Sequence, residues 1–97
     1  MKIKNVKKIN QKKKACLITG GAGFLGSQYC KFLAKKNFIV LCIDNNRNNL
    51  EKIKKLKIKN IYTYYCDIGN YYKVEKLFKK INKLYFVNIL INNAAID

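Results

Sequence analysis

The stretch Thr19-Gly20-Gly21-Ala22-Gly23-Phe24-Leu25-Gly26 decides the fold. It follows a short apolar run, residues 15–19, and opens a segment, 24–36, in which Leu25, Tyr29, Phe32 and Leu33 stand at i, i+4, i+7 and i+8. That spacing predicts a strand, a tight turn, and an amphipathic helix that lays this apolar stripe on a sheet. Gly20 can take the turn, Gly23 lets the backbone approach a phosphate with no Cβ in the way, and Gly26 allows close packing of helix on sheet. The first N–H groups of the helix carry about half a positive charge from the aligned peptide dipoles and would face a pyrophosphate. A P-loop is the nearest competitor, since Gly21 and Gly26 have its spacing, but Ser27 stands where that motif needs lysine, which argues against a nucleotide triphosphatase.

Outward from the turn, β-type and helical runs alternate. Residues 38–43, FIVLCI, form a continuous apolar run suited to a strand buried on both faces, and it ends at Asp44. Residues 48–57 hold a weaker helix with Leu50, Ile53 and Leu56, and residues 61–66 a third strand rich in tyrosine. Residues 70–84, with Val74, Leu77, Phe78 and Ile81 on one stripe, are the best helix, and residues 88–91 a fourth strand. The order β-α-β-α-β-α-β predicts an α/β fold, a doubly wound parallel sheet with strands in the order 3-2-1-4, cut before a fifth strand. Asp44 lies 18 residues beyond Gly26, where a dinucleotide-binding fold puts the acid that accepts from the adenosine ribose hydroxyls.

The 97 residues suffice for one small domain. We divide them into a basic, mobile arm, residues 1–14, with seven lysines and no acid, and a partial dinucleotide-binding domain, residues 15–97. The net charge of +16 would ordinarily raise nucleic acid as a partner. Lysine, asparagine, isoleucine and tyrosine, all with A/T-rich codons, make up 53 residues, and Arg47 is the lone arginine; base bias therefore accounts for the charge better than a nucleic-acid footprint. Histidine is absent, which excludes imidazole catalysis and imidazole metal ligands. No apolar run is long enough to span a membrane, and the five-residue run after the lysines is too short for a secretory signal. Cys16, Cys30, Cys42 and Cys66 form no C-x-x-C pair and read as reduced, buried packing residues of a cytoplasmic protein.

With these residues in place, the chain resembles the short-chain dehydrogenases/reductases. Thr19-Gly20-x-x-Gly23-x-x-Gly26 is similar to that family's glycine motif, in the spacing of its extended members, the nucleotide-sugar epimerases and dehydratases. Asp67-Ile68 resembles the pair that holds the adenine ring. Asn92-Asn93-Ala94-Ala95 resembles the Asn-Asn-Ala-Gly motif of the shorter subfamily, with Ala95 in place of glycine. The resemblance implies a cofactor site drawn from Gly20, Gly23, Phe24, Leu25 and Gly26, from Asp44 and Asn45, from Asp67 and Ile68, and from Asn93, Ala94 and Ala95. It implies NAD as cofactor, in preference to NADP, and a small-molecule substrate, with hydride moving between the nicotinamide and an alcohol, carbonyl or sugar-nucleotide carbon. The family's catalytic Tyr-x-x-x-Lys pair follows strand five, so the chain by itself is expected to be inactive. Tyr72 and Lys76 match the letters of that pair but stand on the helix between strands three and four, and no catalytic or metal-binding residue is assigned. Two further readings are an S-adenosylmethionine methyltransferase, which shares the glycine turn and the acid but not Asn92-Asn93-Ala94-Ala95, and a basic nucleic-acid-binding module.

Overall fold

A computed structural model describes residues 12–94. Its elements are β1 (Lys13–Thr19), α1 (Phe24–Lys35), β2 (Val40–Asp44), α2 (Arg47–Lys55), β3 (Ile61–Tyr65), α3 (Tyr71–Leu84) and β4 (Tyr85–Asn92). The strands form one sheet in the order β3-β2-β1-β4, every pair parallel. This is the doubly wound, Rossmann-like α/β arrangement that the alternation predicts.

The two inner strands are the apolar ones, because strands covered on both faces lose all contact with water. One face of the sheet, with Ile18, Val40 and Cys42, packs on α1 and α2 through Cys30, Ala34, Leu50 and Ile53. The other face, with Ala15, Leu17, Leu41 and Ile43, packs on α3 through Ile81, flanked by Val74 and Leu77. Burial pushes the Cys16 and Cys66 thiols upward, and all four cysteines are free and buried.

The face that α1 turns to the sheet differs from expectation. Gly26, Cys30 and Ala34 are its buried residues, whereas Leu25, Tyr29 and Phe32 are exposed and Leu33 is only partly buried. The reason is the depth at which the helix starts. Gly26 sits so close to the Gly20 carbonyl that no Cβ fits between them, and once position 26 faces the sheet, positions 30 and 34 follow at one turn each. Tyr29, Phe32 and Leu33 instead line an apolar groove with Gln28 and Ile91 of β4. A stripe of small residues marks the packing face here, and hydrophobic periodicity alone selects the neighbouring one.

Two boundaries also move. β1 begins at Lys13, which pairs with Tyr85, as Lys14 does with Phe86; these two lysines belong to the sheet and not to an arm, and residues 1–11 lie outside the described region. β4 begins at Tyr85 instead of Asn88, because α3 ends at Leu84 and Tyr85 is already extended (φ −132°, ψ 154°). Tyr85, Phe86 and Val87 have the side chains that strands favour. The register slips once, Ala15 opposing Val87 and Cys16 opposing Ile89, so that Asn88 is an extra, bulged residue. Among the described residues no strand flanks the outer edge of β4, and Phe86 and Leu90 remain largely exposed.

Asparagines close the remaining joints. Asn46 and Asn70 cap α2 and α3, their side chains accepting from the backbone N–H of Asn49 and Lys73. The Asn60 amide donates to the Ala34 carbonyl at 2.9 Å and to the Phe38 carbonyl at 2.6 Å, tying the end of α1 and the approach to β2 to the start of β3. Asn60→Ala removes both donors and is expected to lower stability by about 1–2 kcal/mol, measurable as a shift of the urea midpoint at constant m. An unchanged midpoint would show that water replaces the amide at no cost.

Candidate functional site

In a parallel sheet all strands point one way, so the residues following β1, β2, β3 and β4 collect along a single edge. In the order β3-β2-β1-β4 the chain turns outward on opposite sides of β1, which opens a crevice between β1 and β4 at that edge. Asp44, the last residue of β2, and Gly20, Asp67 and Asn93, one or two residues past the ends of β1, β3 and β4, all stand at this edge.

The glycine turn is shaped by close approach. Gly20 has φ +64°, the left-handed region that other residues avoid, and an added Cβ would lie 2.9 Å from the Ala94 Cα. Gly21 lies over the Cys30 and Cys42 sulfurs, and the Cys30 thiol donates to its carbonyl at 3.4 Å. The hydrogen bond with Cys30, together with burial, pushes the Cys42 thiol far upward, so it stays protonated. Gly23 is different: only the Gly20 carbonyl oxygen comes within reach of an ideal Cβ there, at an ordinary 3.5 Å. Gly23 caps α1 without a side-chain acceptor, and no acid stands in the first turn, where Phe24 and Leu25 are exposed. The first amides of α1 thus have no side-chain cap, while in α2 and α3 an asparagine accepts from one first-turn N–H.

Asp44 faces this turn. Its Oδ2 accepts from the Ala22 N–H at 3.0 Å and its Oδ1 from the Asn46 N–H at 2.9 Å. A carboxylate offers about four acceptor positions, so each oxygen keeps capacity for a hydroxyl. Asn45 beside it is exposed. At the next strand end the Asp67 Oδ1 accepts from the Gly69 N–H at 2.9 Å, which turns the chain into α3, and Ile68 packs on the α3 side of the core.

On the β4 side, a residue that the sequence reading put in the glycine motif but not among the cofactor-binding residues organises the site. The buried Thr19 hydroxyl donates to the Asn92 Oδ1 at 2.9 Å and accepts from the Asn93 and Ala94 N–H groups at 3.0 and 3.1 Å. The Asn93 side-chain amide donates to the Gly20 carbonyl at 3.1 Å. Thr19 and Asn93 therefore fasten the end of β4 to the start of the glycine turn. The signal was present in the sequence as a hydroxyl residue at the end of one strand and paired amides at the end of another, but nothing local says that those strands are neighbours. Thr19→Val keeps the shape and leaves two N–H groups and an amide without their partner; the expected loss is about 2–3 kcal/mol, to be read from chemical denaturation. A variant as stable as the parent would mean that the hydroxyl is dispensable. Ala95 lies outside the described residues.

Tyr72 and Lys76 are not brought into this site. The packed stripe of α3 is Val74, Leu77 and Ile81, and positions 72 and 76 each stand about 160° round the helix from Val74. Tyr72 is 79% exposed, its ring edge-on to Tyr71.

A family model described as short chain dehydrogenase matches residues 14–97. The short chain dehydrogenase/reductase dpfgG of Gibberella zeae is 37% identical over 86 residues, which take in 86% of this chain and 32% of that protein. A UDP-glucose 4-epimerase of Mycoplasma genitalium is 38% identical over 66 residues, 66% of this chain and 19% of the relative. The crystal structure of a short chain dehydrogenase from Bacillus anthracis superposes with a TM-score of 0.75 at 31% identity, over 87% of this chain and 35% of that one. The chain spans about a third or less of the length of each.

Proposed function

Because the chain belongs to the short-chain dehydrogenase family, we propose that its glycine turn and the strand ends around it bind a nicotinamide dinucleotide, NAD in preference to NADP. The observation that carries this reading is the start of α1, where a Cβ at Gly23 would meet nothing closer than the Gly20 carbonyl oxygen at 3.5 Å and the helix has no side-chain cap, a cradle suited to a pyrophosphate. In this reading Gly20, Gly23 and the amides of Phe24, Leu25 and Gly26 hold the pyrophosphate. Asp44, with Asn45 beside it, accepts from the adenosine ribose. Asp67 and Ile68 flank the adenine, and Asn93, Ala94 and Ala95 complete the site on the β4 side. The bound group would supply a hydride acceptor.

We assign to the whole protein hydride transfer between the nicotinamide and an alcohol or carbonyl carbon of a small-molecule substrate. The glycine spacing and the match to the Mycoplasma genitalium enzyme favour a second, narrower reading, a nucleotide-sugar epimerase or dehydratase. No residue of the chain is assigned to catalysis, and we expect residues 1–97 to bind the dinucleotide without transferring hydride. The free, buried cysteines support a reducing, cytoplasmic setting, and no helix among the described residues is long and apolar enough to cross a membrane.

Calorimetric titration of the purified chain tests the reading. Saturable binding of NAD at one site per chain, with no heat from S-adenosylmethionine, is expected. Binding of the methyl donor alone would favour a methyltransferase, salt-sensitive binding of DNA alone a nucleic-acid module, and NADH formation from an alcohol would return Tyr72 and Lys76 to consideration.

A further inference from the structure

Arg47, three residues after Asp44, is the first residue of α2, where the positive end of the helix dipole disfavours a cation. Its guanidinium has found another partner: the Arg47 Cζ lies 3.7 Å from the centroid of the Tyr65 ring. Tyr65 is the last residue of β3 and the register partner of Asp44. Since β3 flanks β2 on the side away from β1, the charge at the end of β2 and the one at the start of α2 are drawn in opposite directions. The Asp44 carboxylate engages the glycine turn through the Ala22 N–H, and the Arg47 guanidinium lies over the outer strand, beside a groove that Thr63, Leu50 and Glu51 also line. Glu51 is paired with Lys54 at 3.3 Å.

We infer that Tyr65 is a positioning residue for cofactor choice: its ring holds Arg47 on the β3 side of Asp44, away from the ribose 2′ position. The inference rests on the reading of Asp44 as the ribose acceptor. A guanidinium free to swing inward would fork onto the 2′-phosphate of NADP and offset the repulsion from Asp44; one stacked on Tyr65 must first give up the ring. A cation over an exposed aromatic face is held by an amount equivalent to about 2–5-fold in an equilibrium. Tyr65 thereby raises the preference for NAD without touching either dinucleotide.

The test is an equilibrium titration of the chain and its variants with NAD and with NADP. Tyr65→Leu should tighten NADP binding about 2–5-fold and leave NAD within twofold. Tyr65→Phe, which keeps the ring, should leave both unchanged, and Tyr65→Leu should have no effect in an Arg47→Met background. If Tyr65→Leu unfolds the chain, Arg47→Met alone decides: a parked arginine contributes nothing, so both affinities should stay within about twofold, whereas a marked loss of NADP affinity would show that Arg47 already reaches the phosphate and would overturn the inference. An NADP-to-NAD ratio untouched by Tyr65→Leu, or moved equally by Tyr65→Phe, would overturn it while the cofactor reading stands. A parent chain that binds neither dinucleotide would instead defeat the cofactor reading, and this inference with it.

Discussion

Gly26→Ala should lose about 3 kcal/mol of stability, the upper end of what overpacking a filled site costs, and with it dinucleotide binding. Helix propensity alone points the other way, since alanine in a helix is favoured over glycine by about 1 kcal/mol. Packing wins because the obstacle is backbone. The new Cβ would collide with the Gly20 carbonyl and come within 2.9 Å of the Asn93 side-chain nitrogen, so it must displace either the turn or the amide that fastens β4 to it. Gly23→Ala is the control. Its Cβ meets nothing closer than 3.5 Å, so stability should hold within about 1 kcal/mol, while the methyl group projects into the proposed phosphate cradle and should weaken NAD binding at least about tenfold, or 1.4 kcal/mol. Urea denaturation and NAD titration of the two variants separate the roles. A Gly26→Ala variant as stable as the parent would show that α1 does not rest on Gly20, and a Gly23→Ala variant that binds NAD as the parent does would show that the cradle lies elsewhere.

The second large effect is on cofactor choice. The parent chain should prefer NAD to NADP at least about tenfold, and replacing Asp44 should remove that preference. An ionised Asp44 accepts from ribose hydroxyls, but a 2′-phosphate would bring a second anion close to it; at about 4 Å and an effective dielectric near 20, unit charges repel by about 4 kcal/mol, an upper figure for a site open to water. The carboxylate also accepts from the Ala22 and Asn46 N–H groups, so Asp44→Ala mixes lost charge with two lost hydrogen bonds, each worth about 1.5–3 kcal/mol. Asp44→Asn removes the charge and keeps one acceptor. Both variants should bind the two dinucleotides with similar affinity, and the asparagine should retain more stability. A tenfold preference that survives in Asp44→Asn would mean that shape, not charge, selects the cofactor.

The α/β class, the strand order and the line of candidate residues were legible because they rest on features that act over a few residues. The apolar run before Asp44 needs two covered faces, and the glycines after Thr19 mark a strand-to-helix turn wherever they occur. Capping by Asn46 and Asn70 is equally local, and could have been read from asparagine three residues before each helix has completed its first turn. The start of β4 was not legible in the same way, since Tyr85 follows Leu84 with no glycine, proline or asparagine to mark where helix becomes strand.

By itself the sequence determined the alternation of strands and helices, the glycine turn at the first junction, and the acid at the end of the second strand, because each follows from steric or periodic properties of neighbouring residues. Only the tertiary structure decided which face of α1 is buried, what Thr19 holds, and where Arg47 points. The face of α1 depends on the close approach of residues 20 and 26 across a turn, which overrides the stronger apolar stripe through Tyr29 and Phe32. Thr19 and Asn92 are 73 positions apart and meet because β4 pairs with β1. Arg47 lies on Tyr65 because β2 and β3 are neighbours in register. Contacts of this kind depend on which elements become adjacent, and adjacency is settled by burying the whole sheet at once, a property that no short stretch of the chain carries.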